Sequence, residues 1–162
     1  MAALACCAYA NAQTSPQTTT FQVTTTVVSA CVIDSASTLA FGSYAPTSGS
    51  ALDQQSAIVL RCTSTTPYTL ALNGGTTPGG TVGTRLMLNS GNSQTLQYNL
   101  YTSAGRTTVF GDGTGGSSTI TGTGQGASLA NQITVPVYGR IPSGQTVAPG
   151  SFSDTITATL TF

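Results

Sequence analysis

The chain has 162 residues, four Arg and four Asp, no net charge, and no Lys, Glu, His or Trp. That length suits one domain with a single core, and a charged fraction of 5%, against about a quarter in ordinary soluble domains, leaves neither a basic stripe for nucleic acid nor a polybasic membrane anchor. No stretch approaches the roughly 20 apolar residues of a membrane-spanning helix. Abundant Thr and Ser, scattered Gly and little helix-favouring sequence predict an all-β domain.

Residues Met1–Ala12, MAALACCAYANA, are small and apolar and end in Ala10-Asn11-Ala12 before Gln13. An A-x-A ending of this kind reads as the tail of a signal peptide, although the usual positively charged start is missing. A disordered apolar tail and a lipid anchor on Cys6 or Cys7 are the alternatives. Removal of this segment leaves Cys31 and Cys62, and an isolated pair in an exported chain reads as a disulfide. Metal binding would want His or further thiolates.

Gln13–Gln17 carries Pro16 and reads as a short linker. Thr18–Val28 then alternates, with Phe21, Val23, Thr25 and Val27 on one face and Gln22, Thr24 and Thr26 on the other. A period of two predicts a half-buried strand. At Val28 the parity slips, which exchanges the faces and marks the end of one strand's task. Further strands are predicted at Thr38–Phe41, Ser56–Cys62, Tyr68–Asn73, Arg85–Asn89, Thr95–Tyr101 and Thr107–Phe110, separated by Gly-, Pro- and Asn-rich turns. Gly111–Gly126 reads as a long loop or weak hairpin, and Asn131–Tyr138 as a strand in which Pro136 predicts an edge or a bulge. The last run, Phe152–Phe162, alternates most regularly. Phe152, Ile156, Ala158, Leu160 and Phe162 share a face that Asp154 joins at what is expected to be a rim. Many short strands with regular turns predict a β-sandwich.

Catalysis needs a proton carrier, a nucleophile with its base, or a metal. Four scattered Asp and hydroxyls without an evident base supply none of these, so no enzyme, cofactor or metal site is expected. Gly111–Gly116 has no following Lys or helix and is read as a loop rather than a phosphate cradle. Asp53 and Asp112 lack the 6–8 oxygens calcium wants. The tyrosines at 44, 68, 98, 101 and 138 are read as packing residues rather than a sugar platform.

Several pieces occur in a familiar order: the alternating strand running into Ser29-Ala30-Cys31, then LAFGSY at Leu39–Tyr44, IVLRCTSTTPYTLALNGG around Cys62, RLMLN, LQYNLYTSAG, VFGDGTG and the closing VPVYGRIPSGQTVAPGSFSDTITATLTF. On these pieces the stretch from Phe21 to Phe162 resembles the spore coat protein U domain family, the fold of subunits of archaic (Csu-type) chaperone–usher pili. The resemblance implies an incomplete immunoglobulin-like β-sandwich with an N-terminal donor strand. Residues 1–12 would be a signal remnant, 13–29 a linker and donor strand, and 30–162 the pilin domain. It implies a structural pilin of a surface fibre serving adhesion or biofilm, exported through the periplasm. Its partners would be a periplasmic chaperone, an outer-membrane usher and identical or related pilin subunits, and it would insert in no membrane. The donor face would be Phe21, Val23, Thr25 and Val27, received by a groove for which Phe152, Ile156 and Leu160 are candidates. Two alternatives remain open at this point. Thr18–Val28 is also readable as the domain's own first strand, and the chain as a self-contained secreted coat or carbohydrate-binding module.

Overall fold

A computed structural model describes residues 15–162, so the A-x-A pattern at Ala10–Ala12 lies outside the described residues. The strands are β1 (Cys31–Ala36), β2 (Leu52–Cys62), β3 (Pro67–Leu72), β4 (Arg85–Leu88), β5 (Thr95–Tyr101), β6 (Ile120–Thr123), β7 (Ile133–Ile141) and β8 (Ala158–Thr161), with one turn of 3-10 helix at Leu129–Asn131. They form two sheets, β1-β2-β7-β5-β4 and β6-β3-β8. All named strand pairs are antiparallel.

The period of two in the sequence is what lets these sheets share a core. Ile58, Leu60 and Cys62 on β2, Leu96, Tyr98 and Leu100 on β5, and Val135, Val137 and Ile141 on β7 are buried on one sheet's inner face. Tyr68, Leu70 and Leu72 of β3 face them from the other, and Phe110 fills the space from a loop. Gly139 belongs to the same face for a steric reason. A Cβ there would meet the Phe41 ring at 2.7 Å and both Leu39 methyls at 2.9 Å, so only glycine lets the segment after β1 lie against β7.

Three departures from the predicted elements have physical causes, and Pro136 stands at an edge as expected. Thr38–Phe41 forms no strand, because its backbone has no neighbouring chain to pair with. Thr107–Phe110 contributes only isolated bridges at Val109 and Phe110. Pro136 lies within β7, between β2 and β5, yet the β5 ladder reaches only Tyr138, so β7 is an edge where the proline stands. The long final run is a ladder strand only over Ala158–Thr161, although burial alternates from Phe152 to Leu160.

Residues 15–30 belong to no strand or helix, and every one of them is exposed. Phe21, Val23 and Val27 are 85%, 84% and 83% exposed. The apolar face that would half-bury a strand here is therefore formed by sequence but covered by nothing among the described residues.

Candidate functional site

The two sheets do not close along one side, and a groove of about 960 Å³ opens there. One wall is the segment after β1, with Leu39 and Phe41; the other is the segment before β8, with Phe152, Asp154 and Ile156. Ile58, Leu72, Leu100 and Ile141 form the apolar floor. Phe41 meets Tyr98 edge-on at 6.2 Å between ring centroids. Tyr44 closes one end, its hydroxyl donating to the Pro142 carbonyl (3.0 Å) and accepting from the Gln145 N–H (3.0 Å). The Cys31–Cys62 disulfide joins β1 to β2 outside the groove lining, and β1 also touches β8.

Both walls carry unsatisfied backbone. Among the described residues, the N–H and C=O groups of Thr38–Ser43 on one side and of Phe152, Asp154 and Ile156 on the other make no hydrogen bond. The intervening residues point the other way. Ser153 exchanges both bonds with Leu88, and Thr157 bonds Asn73 through its N–H and C=O. Such an alternation is that of an exposed sheet edge.

Asp154 joins the groove wall to the core. Its Oδ1 accepts the N–H groups of Thr76 (2.9 Å), Thr77 (3.1 Å) and Thr155 (2.9 Å), and its Oδ2 accepts the Tyr98 hydroxyl at 2.7 Å. Gly75, at φ +92, makes room for that carboxylate, since any Cβ there would strike it. Burial opposes the charge, but the hydrogen bonds from Tyr98 and three backbone N–H groups outweigh it and hold the carboxyl below its usual range. Burial and the same bond push the Tyr98 phenol far up, so it remains a donor.

Arg85 is fully buried. Its guanidinium donates to the carbonyls of Asn73 (2.7 and 3.0 Å), Val82 (3.3 Å) and Phe110 (2.8 Å) and to Asn99 Oδ1 (2.7 Å). Asn73 in turn holds Thr157, so the buried cation steadies the groove wall through one intermediate residue. Of the remaining charges, Asp34 pairs with Arg61 and Asp53 with Arg140 and Arg106, while Asp112 accepts only from Thr114 in its own loop. Among the described residues no three His, Cys, Asp or Glu side chains gather where a metal could be held.

Asp154 gives a signed pH dependence. Its folded pKa is depressed, so its contribution is complete above the ordinary value of 3.8 and is lost as pH falls below it. Asp34 and Asp53, held down by hydrogen bonds from Arg61 and Arg140, act in the same direction. Thermal unfolding should therefore be flat from neutral pH to about pH 4 and decline below it, and Asp154→Asn should make that decline shallower. An equal acid slope in the variant would remove Asp154 from the account.

The residues singled out from sequence fall in three places. Phe152 and Ile156 line the groove. Leu160 lies beyond it, inside β8 opposite Leu70. Phe21, Val23, Thr25 and Val27 lie on the exposed segment, apart from the groove. Asp154 is half-buried and hydrogen-bonded rather than at a solvated rim. Leu39, Phe41 and Arg85 were not foreseen as parts of the site. The one signal for Arg85 and Asp154 was a charge standing at the start of an otherwise apolar run.

Three comparisons bear on this architecture. A family model described as Spore Coat Protein U domain matches residues 17–159. Protein U of Myxococcus xanthus is 32% identical over 173 aligned positions, spanning 99% of this chain and 93% of that protein. Among solved structures, the fold is similar to a chain in the chaperone–tip adhesion subunit pre-assembly complex from the archaic chaperone-usher Csu pili of Acinetobacter baumannii, with a TM-score of 0.60 at 22% identity. That match covers 85% of this chain and 41% of the other.

Proposed function

This chain belongs to the Spore Coat Protein U domain family, and from that premise we propose that it is a structural subunit of a surface fibre, polymerising by donating residues 18–28 to the groove of a neighbouring copy. The reading includes export by way of a periplasmic chaperone, which would hold the groove first, and an outer-membrane usher, which would exchange the chaperone for the next subunit. Adhesion and biofilm formation are the roles such a fibre would serve.

The observation that supports it is an open edge at Phe152–Ile156 together with an exposed alternating segment that cannot reach that edge in the antiparallel sense within its own chain. An antiparallel occupant of the Phe152–Ile156 edge must end, at its C-terminal side, near Phe152. Residues 28–30 instead enter the domain at Cys31, beside Cys62. That is the end of the sandwich where β3 begins and Thr161 pairs with Thr69. From Phe152 to Leu160 is about 26 Å of strand, and Val28 is tethered to Cys31 by a link of no more than about 11 Å. A second copy has no such tether. Strand addition at an open edge supplies a backbone ladder and side-chain pockets together. Burial of Phe21, Val23 and Val27 would add about 1.5–3 kcal/mol each. The contact is head-to-tail and does not close, so it propagates a filament.

The test compares the chain from Gln13 with a version lacking Thr18–Val28, each produced with chaperone and usher. The longer chain should give high-order species by size-exclusion chromatography and fibres by electron microscopy, and the deleted one only chaperone-bound subunits. A stable, monodisperse monomer from the longer chain alone would favour the self-contained coat or carbohydrate-binding module instead.

A further inference from the structure

Strand exchange, as read above, leaves open how the incoming segment is aligned, and the groove contains one feature able to decide it. Asp154 is the single charged residue among those lining the groove. Thr25 is the single polar residue on the donor face of Phe21, Val23, Thr25 and Val27. We infer that Asp154 sets the register in which a second copy's N-terminal segment enters, antiparallel to residues 151–161 and with Thr25 opposite Asp154. This inference rests on the strand-exchange reading.

The alignment accounts for every inward residue at once. With Thr25 opposite Asp154, Val23 faces Ile156, Val27 faces Phe152, and Phe21 faces Ala158, a large side chain on a small one. Sliding the segment by two residues either way sets Val23 or Val27 against the carboxylate, which would be dried by a partner unable to hydrogen-bond it. The same slides bring Phe21 against Ile156 or Leu160. A slip by one residue turns the whole apolar face outward.

The carboxylate has capacity for a further bond. Oδ1 is occupied by the three N–H groups and the Thr76 and Thr77 hydroxyls, whereas Oδ2 accepts only the Tyr98 hydroxyl. The Thr25 hydroxyl can donate to Oδ2 and so replace the water that entry of the strand removes. The backbone agrees with this pairing. The free N–H and C=O groups belong to Phe152, Asp154 and Ile156, so these residues and their opposites would exchange hydrogen bonds, while Thr155 and Thr24 would face each other on the outer surface at a non-hydrogen-bonded site. An antiparallel entry also continues a sheet whose existing pairs, β6 with β3 and β3 with β8, are antiparallel.

The register is read by cysteine cross-linking. Thr24 and Thr155 are exposed, and in this alignment their Cβ atoms are about 4.5–5.5 Å apart, close enough for oxidation to join them. Fibres of Thr24→Cys/Thr155→Cys should give a ladder of covalent multimers on a non-reducing gel, well above the wild-type baseline. Pairing Thr24→Cys with Ser153→Cys or Thr157→Cys should give roughly tenfold less. Adding Thr25→Val should reduce that selectivity by about tenfold, the scale of losing one hydrogen bond to a charged group. A dominant ladder through residue 153 or 157, or selectivity indifferent to Thr25→Val, overturns the register while leaving strand exchange intact. Fibres that give no ladder with any pair also overturn it. A chain that stays monomeric without its partners and forms no fibre with them overturns both.

Discussion

Replacing Arg85 with methionine should cost the domain about 3–5 kcal/mol, the scale of removing one partner from a buried charged network. For a domain of this size that lowers the melting temperature by on the order of 10 °C. Methionine fills much of the arginine's volume, so the loss is polar rather than steric. The carbonyls of Asn73, Val82 and Phe110 would be left facing an apolar side chain, and each buried acceptor without a donor costs roughly 1–3 kcal/mol. Part of that is offset, because the cation itself no longer has to be buried, and Asn99 Oδ1 keeps the Leu100 N–H. Arg85→Lys should do no better. A lysine presents three donors from a single point and cannot reach acceptors arranged around a planar fork. The effect should extend to assembly, since Asn73 connects Arg85 to Thr157 on the groove wall. Chemical denaturation of Arg85→Met beside the parent would decide the matter, and an unchanged midpoint would mean that the network contributes nothing net.

Removing the disulfide, by Cys31→Ser together with Cys62→Ser, should destabilise the domain by about 3–4 kcal/mol. The bridge closes a separation of 31 residues, and the chain-entropy model gives that scale for such a loop. The position matters as much as the loop. Cys31 is the first residue of β1 and the point from which the exposed N-terminal segment leaves the domain, so any load on a strand held by another subunit would enter the fold there. Thermal unfolding of the double variant, beside the parent with and without reductant, should give the same loss from either route. A double variant as stable as the oxidised parent would refute it.

The N-terminal segment shows how far alternation can be read. Phe21, Val23, Thr25 and Val27 are marked as one face by their spacing alone, yet the same spacing serves a strand paired within its own chain and a strand offered to another. Phe152 to Phe162 shows the same limit. Its period of two is the clearest in the chain, and burial follows it, but ladder pairing is confined to Ala158–Thr161. Periodicity reports which way side chains point. It does not report whether the backbone edge beside them is occupied, because every residue type offers the same N–H and C=O.

The charged residues were legible only as anomalies. Asp154 stands on the apolar parity of its run and Arg85 opens the short RLML strand, and each turned out to be buried or half-buried among specific acceptors and donors. Those partners come from distant parts of the chain, such as Tyr98 and Thr76 for Asp154, and no local pattern brings them together. Leu39 and Phe41 were seen as a strand because their alternation is that of a strand; with no neighbour in reach, they became a groove wall instead.

What residue order alone carried was whatever depends on near neighbours: strands rather than helices, the inward faces, the cysteine pair, and an alternating segment at Thr18–Val28. The folded chain added what depends on which distant segments meet. It left Phe152–Ile156 without a neighbour, put the exit of residues 15–30 at the wrong end of the groove for antiparallel self-pairing, and set Asp154 against Tyr98 in its wall. Side-chain direction is a local property of a strand, whereas the filling of its edges is a property of the whole assembly. The segment from Thr18 to Val28 therefore has its apolar face set by residue order, and its lack of a neighbour among the described residues set by the fold.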